Sequence, residues 1–478
     1  MNGDVLRLFA DNKKLLSSEA KELIESNNHP FEFANLVLNH ISSNTIFVSK
    51  EDVEAVLVGD KLIYEGPASA TVKNKVHPDI KIDVSTDVTG NSTTEGKVND
   101  FASYIKNRYV RLSHIIESSL GRPMTIEKAK SHPRDDVKII GIIYKANKTK
   151  NGNVMLTIED LSDTCSVLIS KTSQFIDWEF VEDEVLGFTG TFNEQKTLFF
   201  PTRIVRPDVP KLNKWENIDT PSNVIMMSDV HIGSTGFADR GWNNAMKWLK
   251  DNHEKECINY AVLGGDLVDG IGVYPDQDTE LAILDIYKQY DALAEALKEI
   301  PDGIEIVCCP GNHDAVRLAE PQPAWKKCFT QDMDSSVHLV GNPIQFELEG
   351  KRFSCYHGKG IDQLVSTMQS VTYENPTTAM MNMMRFRHYC PTYGGKVPLC
   401  PEKTDYLVMD KIPDVFMAGH VHKSQSAMYN GVRLVQTGSF QVQTNYQRLH
   451  NFVPDVCAIP TISLNNGIVK FHDFNEMV

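Results

Sequence analysis

The sequence lacks any apolar run near the roughly 18 residues that a membrane-spanning helix requires. It also lacks the apolar core of a signal peptide, because the first sixteen residues mix Asp4, Arg7, Asp11 and Lys13 among the apolar ones. We therefore predict a cytoplasmic protein that makes no membrane contact.

Cysteine is present but follows no recognisable pattern. Nine cysteines are spread over 478 residues, and no two of them form a CxxC pair. An odd number without metal-binding spacing argues against a disulfide framework and against a zinc ribbon. Several lie in apolar runs, as Cys308 and Cys309 do, where cysteine behaves as a small hydrophobic residue. We predict that all nine are structural.

A basic excess is also missing, since the formal net charge is −15. Proteins that bind nucleic acid unaided usually show a basic footprint. Any affinity for DNA must therefore come from a local patch, from bound cations or from a partner chain. One local patch exists in residues 101–150, and it either contacts phosphate or a partner or is an ordinary solvated surface. Its eleven basic residues are Lys106, Arg108, Arg111, Arg122, Lys128, Lys130, Arg134, Lys138, Lys145, Lys148 and Lys150.

The first hundred residues divide into a helical part and a polar part. From Leu6 to about Ile63, short apolar groups recur at three- and four-residue spacing, which predicts a small helical module over residues 1–65. Residues 83–100 then contain almost no large hydrophobic side chain. Such a composition cannot bury enough apolar area to offset the cost of ordering. Residues 66–100 are therefore predicted to be a flexible linker.

Residues 101–210 are predicted to form an OB-type β-barrel preceded by a helix. Apolar periodicity over residues 101–116 indicates the helix, and Asn151-Gly152 supplies a hairpin turn between the first two of five short β patterns. Five short strands, with a helical break near residues 175–178, favour an OB-type barrel over a generic small β domain. The predicted strands are residues 137–144, 154–159, 165–170, 184–192 and 198–205.

Residues 211–478 alternate buried-strand runs with helical stretches, which is typical of a layered α/β domain. In such folds, ligand sites form beyond the carboxyl ends of the strands. A single histidine at a strand end is more often an ordinary core or surface residue than a ligand. Here, however, five apolar runs each end in residues of metal-ligand type, which predicts one shared metal pocket. The runs lead to Asp229 and His231, to Asp266, to Asn312, His313 and Asp314, to His357, and to His420 and His422.

The kinds of side chain at these strand ends narrow the choice of metal. Imidazole, carboxylate and carboxamide without thiolate suit divalent ions such as Mn, Fe or Zn. Seven candidate ligands are too many for one ion and suit two ions that share an aspartate. Two cations at short separation can activate water and clamp both oxygens of an in-line phosphoryl displacement. The sequence therefore predicts a two-metal phosphoesterase.

The series SDVH, GGD, GNHD, HG and GHVH resembles the calcineurin-like metallophosphoesterase superfamily over about residues 221–478. Three longer stretches are similar to the exonuclease small subunits of archaeal family D DNA polymerases, and the order of helical module, linker, barrel and phosphoesterase is also similar. The three stretches are residues 265–275, residues 310–323 and the segment from Tyr393-Gly-Gly395 through Pro401 to Asp405-Tyr406.

This resemblance implies specific roles for the matching residues. Asp229, His231 and His422 would hold one metal, and Asn312, His357 and His420 would hold the other. Asp266 would bridge the two ions. His313 would be the acid at the leaving 3′-oxygen, with Asp314 orienting its imidazole. The ions would be Mn, with Fe, Zn or Mg as alternatives.

The same resemblance implies a proofreading 3′→5′ exonuclease that acts on single-stranded or frayed DNA ends beside a large polymerase subunit, since no polymerase signature is readable in this chain. Two other functions stay open. In the B-subunits of eukaryotic replicative polymerases, which this family is similar to, the site is degenerate and the domain is a scaffold. Alternatively, the chain is a metallophosphatase that acts on proteins or small molecules.

Overall fold

The protein consists of two compact units, Met1–Val76 and His77–Val478. A computed structural model describes residues 79–449 and 451–475 and, in the first unit, residues 5, 8, 9, 14–25, 34, 37, 38, 47–50 and 53. Within this described part of the chain, none of the helices has the length and apolarity that crossing a bilayer would require.

The first unit contains one helix, α1 (Ser18–Glu25), among its described elements. Strand β1 (Leu15–Leu16) pairs in parallel with β2 (Phe47–Val48). A small apolar cluster, which includes Phe9 and Ile24, forms its core. The helical module of residues 1–65 stays a prediction, because much of it lies outside the described residues, as do residues 66–78 of the predicted linker.

The described part of the predicted linker is ordered, so that prediction is wrong for residues 79–97. Strand β3 (Ile80–Ile82) is hydrogen-bonded to the edge of a sheet. The Asp87 carboxylate accepts from the Gly341 amide at 3.1 Å. The Glu402 carboxylate accepts from the Thr93 amide at 3.0 Å. Several polar groups of this stretch are thus bonded to the domain that follows, although most of its residues are exposed.

A helix and a five-stranded barrel come next, as predicted. The helix α2 (Val98–Leu120) buries Tyr104, Leu112, Ile116 and Leu120 along one face. The barrel closes in the order β4-β5-β6-β8-β7, the hairpin turn lies at Gly152 with φ +81°, and the predicted helical break consists of turns. The assignment as an OB-fold stays a prediction. The elements are α3 (Ile126–Ala129), β4 (Val137–Lys148), β5 (Val154–Glu159), β6 (Thr164–Ile169), β7 (Val185–Phe192) and β8 (Leu198–Val205).

The basic segment 101–150 is not a uniform surface patch. Arg108 is fully buried and donates from Nε to the Asp405 carboxylate at 2.7 Å. Three further members of the segment are held in ion pairs, with Asp410, Asp163 and Glu194 as the acids. A phosphate or partner contact by the remaining lysines, such as Lys145, Lys148 and Lys150, stays a prediction.

The last domain is a sandwich of two six-stranded sheets, which confirms the predicted α/β layering. Sheet I has the order β12-β11-β10-β9-β18-β19, and sheet II the order β16-β17-β15-β14-β13-β3. The strands of sheet I are β9 (Asn223–Met227), β10 (Ile258–Gly264), β11 (Glu305–Cys309), β12 (Val337–Leu339), β18 (Ala458–Ser463) and β19 (Val469–Asp473). Besides β3, sheet II contains β13 (Ile344–Leu348), β14 (Lys351–Tyr356), β15 (Val415–Ala418), β16 (Gln425–Tyr429) and β17 (Val432–Gln436).

The sandwich is built by period-two alternation along its buried strands. Val224 and Met226 face the layer between the two sheets. Ile225 and Met227 face the helices outside sheet I. The helices of the domain are α4 (Asp239–Asn252), α5 (Ile286–Leu297), α6 (Lys327–Thr330), α7 (Gly360–Thr367), α8 (Pro376–Phe386) and α9 (Asn445–Leu449), with a 3₁₀ turn at Gln277–Glu280.

Candidate metal centre

The carboxyl ends of five strands carry the predicted ligands. In sheet I, β9, β10 and β11 are parallel neighbours. In sheet II, β14 and β15 are parallel neighbours. Because parallel strands end at the same edge of a sheet, their following loops converge. All seven predicted ligands lie in these loops, three loops from one sheet and two from the other.

Three of the predicted ligands form the first cluster. Ligand-type atoms of Asp229, His231 and His422 all lie within 4.8 Å of one another. The Nε2 atoms of His231 and His422 are 3.2 Å apart, and His422 Nε2 lies 3.3 Å from Asp229 Oδ1. Three donor atoms at this spacing can face one cation.

A second cluster consists of Asp266, His357 and His420, again with ligand-type atoms within 4.8 Å of one another. Asp266 Oδ2 lies 3.2 Å from His357 Nε2. The ring centroids of His357 and His420 lie 5.2 Å apart. A Cβ on Gly311, in the loop that carries Asn312, would collide with the Asp266 carboxylate. Glycine at 311 therefore lets this loop close against the cluster.

Two polar atoms at this site are buried without a hydrogen bond. They are Asn312 Oδ1 and His357 Nε2, the latter making none even though Asp266 is near. An unsatisfied buried polar atom costs about 1–3 kcal/mol. A divalent cation between such atoms would satisfy both, so the residues present fit the metal that the sequence predicts.

The backbone at the predicted ligands is unusual. Five of these residues, none of them glycine, have φ between +51° and +73°. Left-handed backbone at such residues costs of order 1–3 kcal/mol each and persists where surrounding contacts enforce it. The strain therefore clusters on the residues that chemistry would require to point inward. The five are Asp229, His231, Asp266, His420 and His422.

His313 lies beside both clusters, and the role predicted for Asp314 is wrong in this structure. The Asp314 carboxylate accepts from the Gly311 amide at 2.8 Å and from the Tyr290 hydroxyl at 3.2 Å, so it braces the loop. The contact to His313 Nδ1 is instead the carbonyl oxygen of Asp269, at 2.8 Å. The carboxylate oxygen Oδ1 of Asp269 lies 3.9 Å from the same Nδ1 atom. Burial and the neighbouring Asp266 raise the pKa of Asp314 to about 7.

Carboxylates outside the predicted set hold the other ring nitrogens of two ligands. Asp269 Oδ1 lies 2.9 Å from His231 Nδ1. Asp362 Oδ2 lies 2.9 Å from His420 Nε2. Such contacts fix the tautomer and orientation of a ligating imidazole. Sequence reasoning missed both residues. Asp269 stands three positions after Asp266 in the GDLVDG stretch, and this closeness to a predicted ligand could have indicated a site residue. Nothing in the local sequence indicates that Asp362 belongs to the site.

Carboxylates and imidazoles of the second cluster and its surroundings shift one another's pKa values. Burial opposes an imidazolium at His357, yet the Asp266 carboxylate raises the pKa of this ring to about 10. Burial also opposes ionisation of Asp362, but His420 lowers its pKa to about 2. Anionic carboxylates therefore attract positive charge at the positions where cations would lie. Imidazole, carboxylate and carboxamide donors without thiolate suit divalent ions.

Comparison with known proteins places this chain among DNA polymerase subunits. The family model for the B-subunits of DNA polymerases alpha and epsilon matches residues 224–427, a range that includes every predicted ligand. A solved archaeal phosphodiesterase is 13% identical and covers 52% of this chain and 98% of its own, with a TM-score of 0.26. At that score, no conclusion is drawn from the likeness.

Three relatives share the description DNA polymerase II small subunit. The protein from Halobacterium salinarum is 36% identical over 400 residues, which is 82% of this chain and 78% of the relative. That from Archaeoglobus fulgidus is 36% identical over 404 residues, or 83% and 82%. That from Thermoplasma acidophilum is 30% identical over 478 residues, or 98% and 93%. At this identity and coverage, the chain belongs to the family of DNA polymerase II small subunits, the archaeal family D.

Proposed function

We propose that this chain is the 3′→5′ proofreading exonuclease of a two-subunit DNA polymerase and hydrolyses the terminal phosphodiester bond of DNA with two divalent cations, Mn being preferred. The observation that carries the proposal is the convergence of two buried ligand clusters that leave Asn312 Oδ1 and His357 Nε2 without hydrogen bonds. Bound cations would satisfy both atoms, which supports a catalytic site over a scaffold. The relatives are described as small subunits, which supports a large polymerase subunit as partner.

The proposed ligand sets combine the two clusters with Asn312. Asp229, His231 and His422 would hold one cation, and Asn312, His357 and His420 the other, with Asp266 shared between them. When bound, two cations supply Lewis-acid activation of water and of the phosphate. The chain's own residues then hold the cations, position the strand end and move a proton.

His313 is placed to supply that proton. Its Nδ1 is held by the Asp269 carbonyl oxygen, so its Nε2 is the atom that faces the clusters, 4.0 Å from Asp266 Oδ2. Burial lowers the pKa of His313, while the carboxylates of Asp266 and Asp269 oppose that shift. As water attacks phosphorus and releases a proton to solvent, the bond from phosphorus to the 3′-oxygen breaks. The doubly protonated ring of His313 gives its Nε2 proton to that oxygen and becomes neutral, with its remaining proton on Nδ1 toward Asp269. The products are a 5′-mononucleotide and a strand with a new 3′-hydroxyl.

The test compares the purified chain, alone and with its large subunit, on single-stranded and mismatched DNA with Mn²⁺. We expect mononucleotide release from the 3′ end. Loss of a general acid costs about 10²- to 10⁴-fold, so His313→Ala should lose cleavage by that factor while both cations still bind. His338→Ala is the matched control, because that ring is on the edge strand β12, bonded to Glu305.

Three results would overturn the proposal. Wild-type protein that degrades no DNA, although it binds its large subunit, would favour the scaffold. Hydrolysis of phosphomonoesters without DNA cleavage would favour a metallophosphatase. Loss of a cation in His313→Ala would mean that His313 is a ligand and not the acid.

A further inference from the structure

The loop of residues 270–276 brings an aromatic ring to His313. The centroid of the Tyr274 ring lies 6.2 Å from that of His313, with the two planes at 63°. Tyr274 is half-buried. Ile271, in the same loop, is 46% exposed. The rim of the site next to the proposed acid is therefore aromatic and apolar.

This loop is held rigidly against the catalytic machinery. A Cβ on Gly270, where φ is +71°, would collide with the carbonyl oxygen of His313, so only glycine allows this close approach. The Val273 amide donates to Gln277 Oε1 at 2.9 Å. Gln277 in turn donates to the carbonyl oxygen of Asp269 at 2.8 Å. The loop is thus tied to the same residue that contacts the rings of His231 and His313.

The chemistry of Tyr274 selects a base over a phosphate as its ligand. Its hydroxyl already donates to the Glu280 carboxylate at 2.9 Å. Asp276 and Asp278 are nearby in sequence, and these acids repel a phosphate. What the residue offers is therefore the face of its ring. Nucleobases stack on such faces with little sequence preference, because every base has a π-face.

We infer that Tyr274 is a stacking platform for the nucleobase on the leaving-group side of the scissile bond, which is the penultimate base of the strand. The inference rests on the proposed function, because His313 marks the leaving 3′-oxygen and Tyr274 lies next to His313. Holding this base in place aligns the 3′-oxygen with the acid. It also makes the site selective for nucleic acid over other phosphate esters.

The experiment pairs the ring with the base. Three single-stranded oligonucleotides are compared: one with all bases, one abasic at the penultimate position and one abasic at the terminal position. In wild type, we expect the penultimate abasic site to slow cleavage about 5- to 100-fold, the range that stacking of one base supplies. Tyr274→Ala should slow the full substrate to that level and leave the penultimate abasic substrate unchanged. Tyr274→Phe, which keeps the ring, should behave as wild type.

Tyr287→Ala is the matched control, because that tyrosine is 53% exposed and stacks on Phe329 instead of on a site residue. The inference fails if Tyr274→Ala matches wild type. It also fails if the variant slows the full and abasic substrates equally, which indicates a merely structural ring.

A binding measurement separates this inference from the proposed exonuclease activity. Fluorescence anisotropy with oligonucleotides in which a methylene group replaces the 3′-oxygen of the penultimate nucleotide, the bridging atom of the scissile bond, reports binding without turnover. Weaker binding of the penultimate abasic form by wild type, but not by Tyr274→Ala, supports the stacking role even if wild type cleaves nothing. Equal binding of both forms by wild type overturns it.

Discussion

Two buried clusters of charged residues in this chain differ in their hydrogen bonding: one is satisfied by protein partners and the other is not. Around Arg108, every group finds a protein partner. The guanidinium contacts Asp405, the Pro391 carbonyl oxygen and the Tyr104 hydroxyl. The Asp405 carboxylate also contacts His388 Nε2 at 2.9 Å. At the strand ends, by contrast, Asn312 Oδ1 and His357 Nε2 are left over.

The difference separates structural charge from charge that awaits a ligand. The Arg108 cluster fixes helix α2 to the sandwich and needs nothing more. The strand-end cluster leaves two buried atoms unsatisfied, and the proposed cations would satisfy them. Burial is common to both clusters, so burial does not identify function. What distinguishes the strand-end cluster is that two unsatisfied atoms lie beside grouped ligand-type residues.

The largest expected effect is at the shared aspartate. Asp266→Ala should lower cation occupancy and reduce cleavage by about 10³-fold or more, because both ligand sets lose a charge that is worth several kcal/mol. Isothermal titration with Mn²⁺ and a mononucleotide-release assay measure the two effects. Two cations bound at wild-type affinity would contradict a bridging role.

Breaking the satisfied cluster should change stability and leave chemistry alone. Arg108→Met strands the Asp405 carboxylate in the interior, which destabilises the fold by about 3–5 kcal/mol. Denaturant unfolding of the variant measures this loss, with Lys106→Met, on the exposed side of the same helix, as control. If Arg108→Met loses cation binding while its stability is unchanged, the two clusters are not separate.

A third prediction concerns pH and the same cluster. Burial and the Arg108 charge lower the pKa of His388 to about 4, whereas an unfolded histidine has a pKa of about 6.5. Between these values the unfolded chain binds a proton that the folded chain does not, so stability rises with pH. We expect up to about 3 kcal/mol to be lost as pH falls from 6.5 to 4. Unfolding free energies of wild type and His388→Gln measure this, and parallel pH profiles would refute it.

The smallest effect is expected at Asp362, which holds His420 without being a ligand. Asp362→Asn should weaken binding of one cation by about 10- to 100-fold, because the imidazole loses its orienting acceptor. Titration with Mn²⁺ should show one weakened site and one unchanged site. Asp251→Asn, at an exposed aspartate of helix α4, is the control. Equal weakening of both sites would indicate general damage.

Most of the fold and the candidate ligands could be predicted from local sequence patterns. Two predicted strands, residues 154–159 and 198–205, match β5 and β8 at both ends. The five strand ends were recognisable because each joins an apolar run to ligand-type residues. These signals are contained within a few consecutive residues, so no tertiary information is needed to read them.

The predictions were wrong where the hydrogen-bond partner of a polar group could not be read from the local sequence. Asp314 follows His313 directly, yet its carboxylate turns to Gly311 while the ring turns to Asp269. The polar composition of residues 83–97 indicated a flexible segment, but Glu402, about three hundred positions away, accepts hydrogen bonds from the amides of Thr93 and Thr94. Arg108 was counted as surface charge, although its four-residue spacing from Tyr104 and Leu112 placed it on the buried face of its helix.

The left-handed backbone at the five site residues has a thermodynamic consequence. Glycine at any of these positions would relieve the backbone strain. An inactive glycine variant should therefore have a higher free energy of unfolding than wild type in the presence of a chelator. Cations reverse this ranking, since a ligand that binds only the native state stabilises it in proportion to the logarithm of its concentration. On the proposed function, the melting temperature of this protein should therefore rise with the free concentration of a divalent cation.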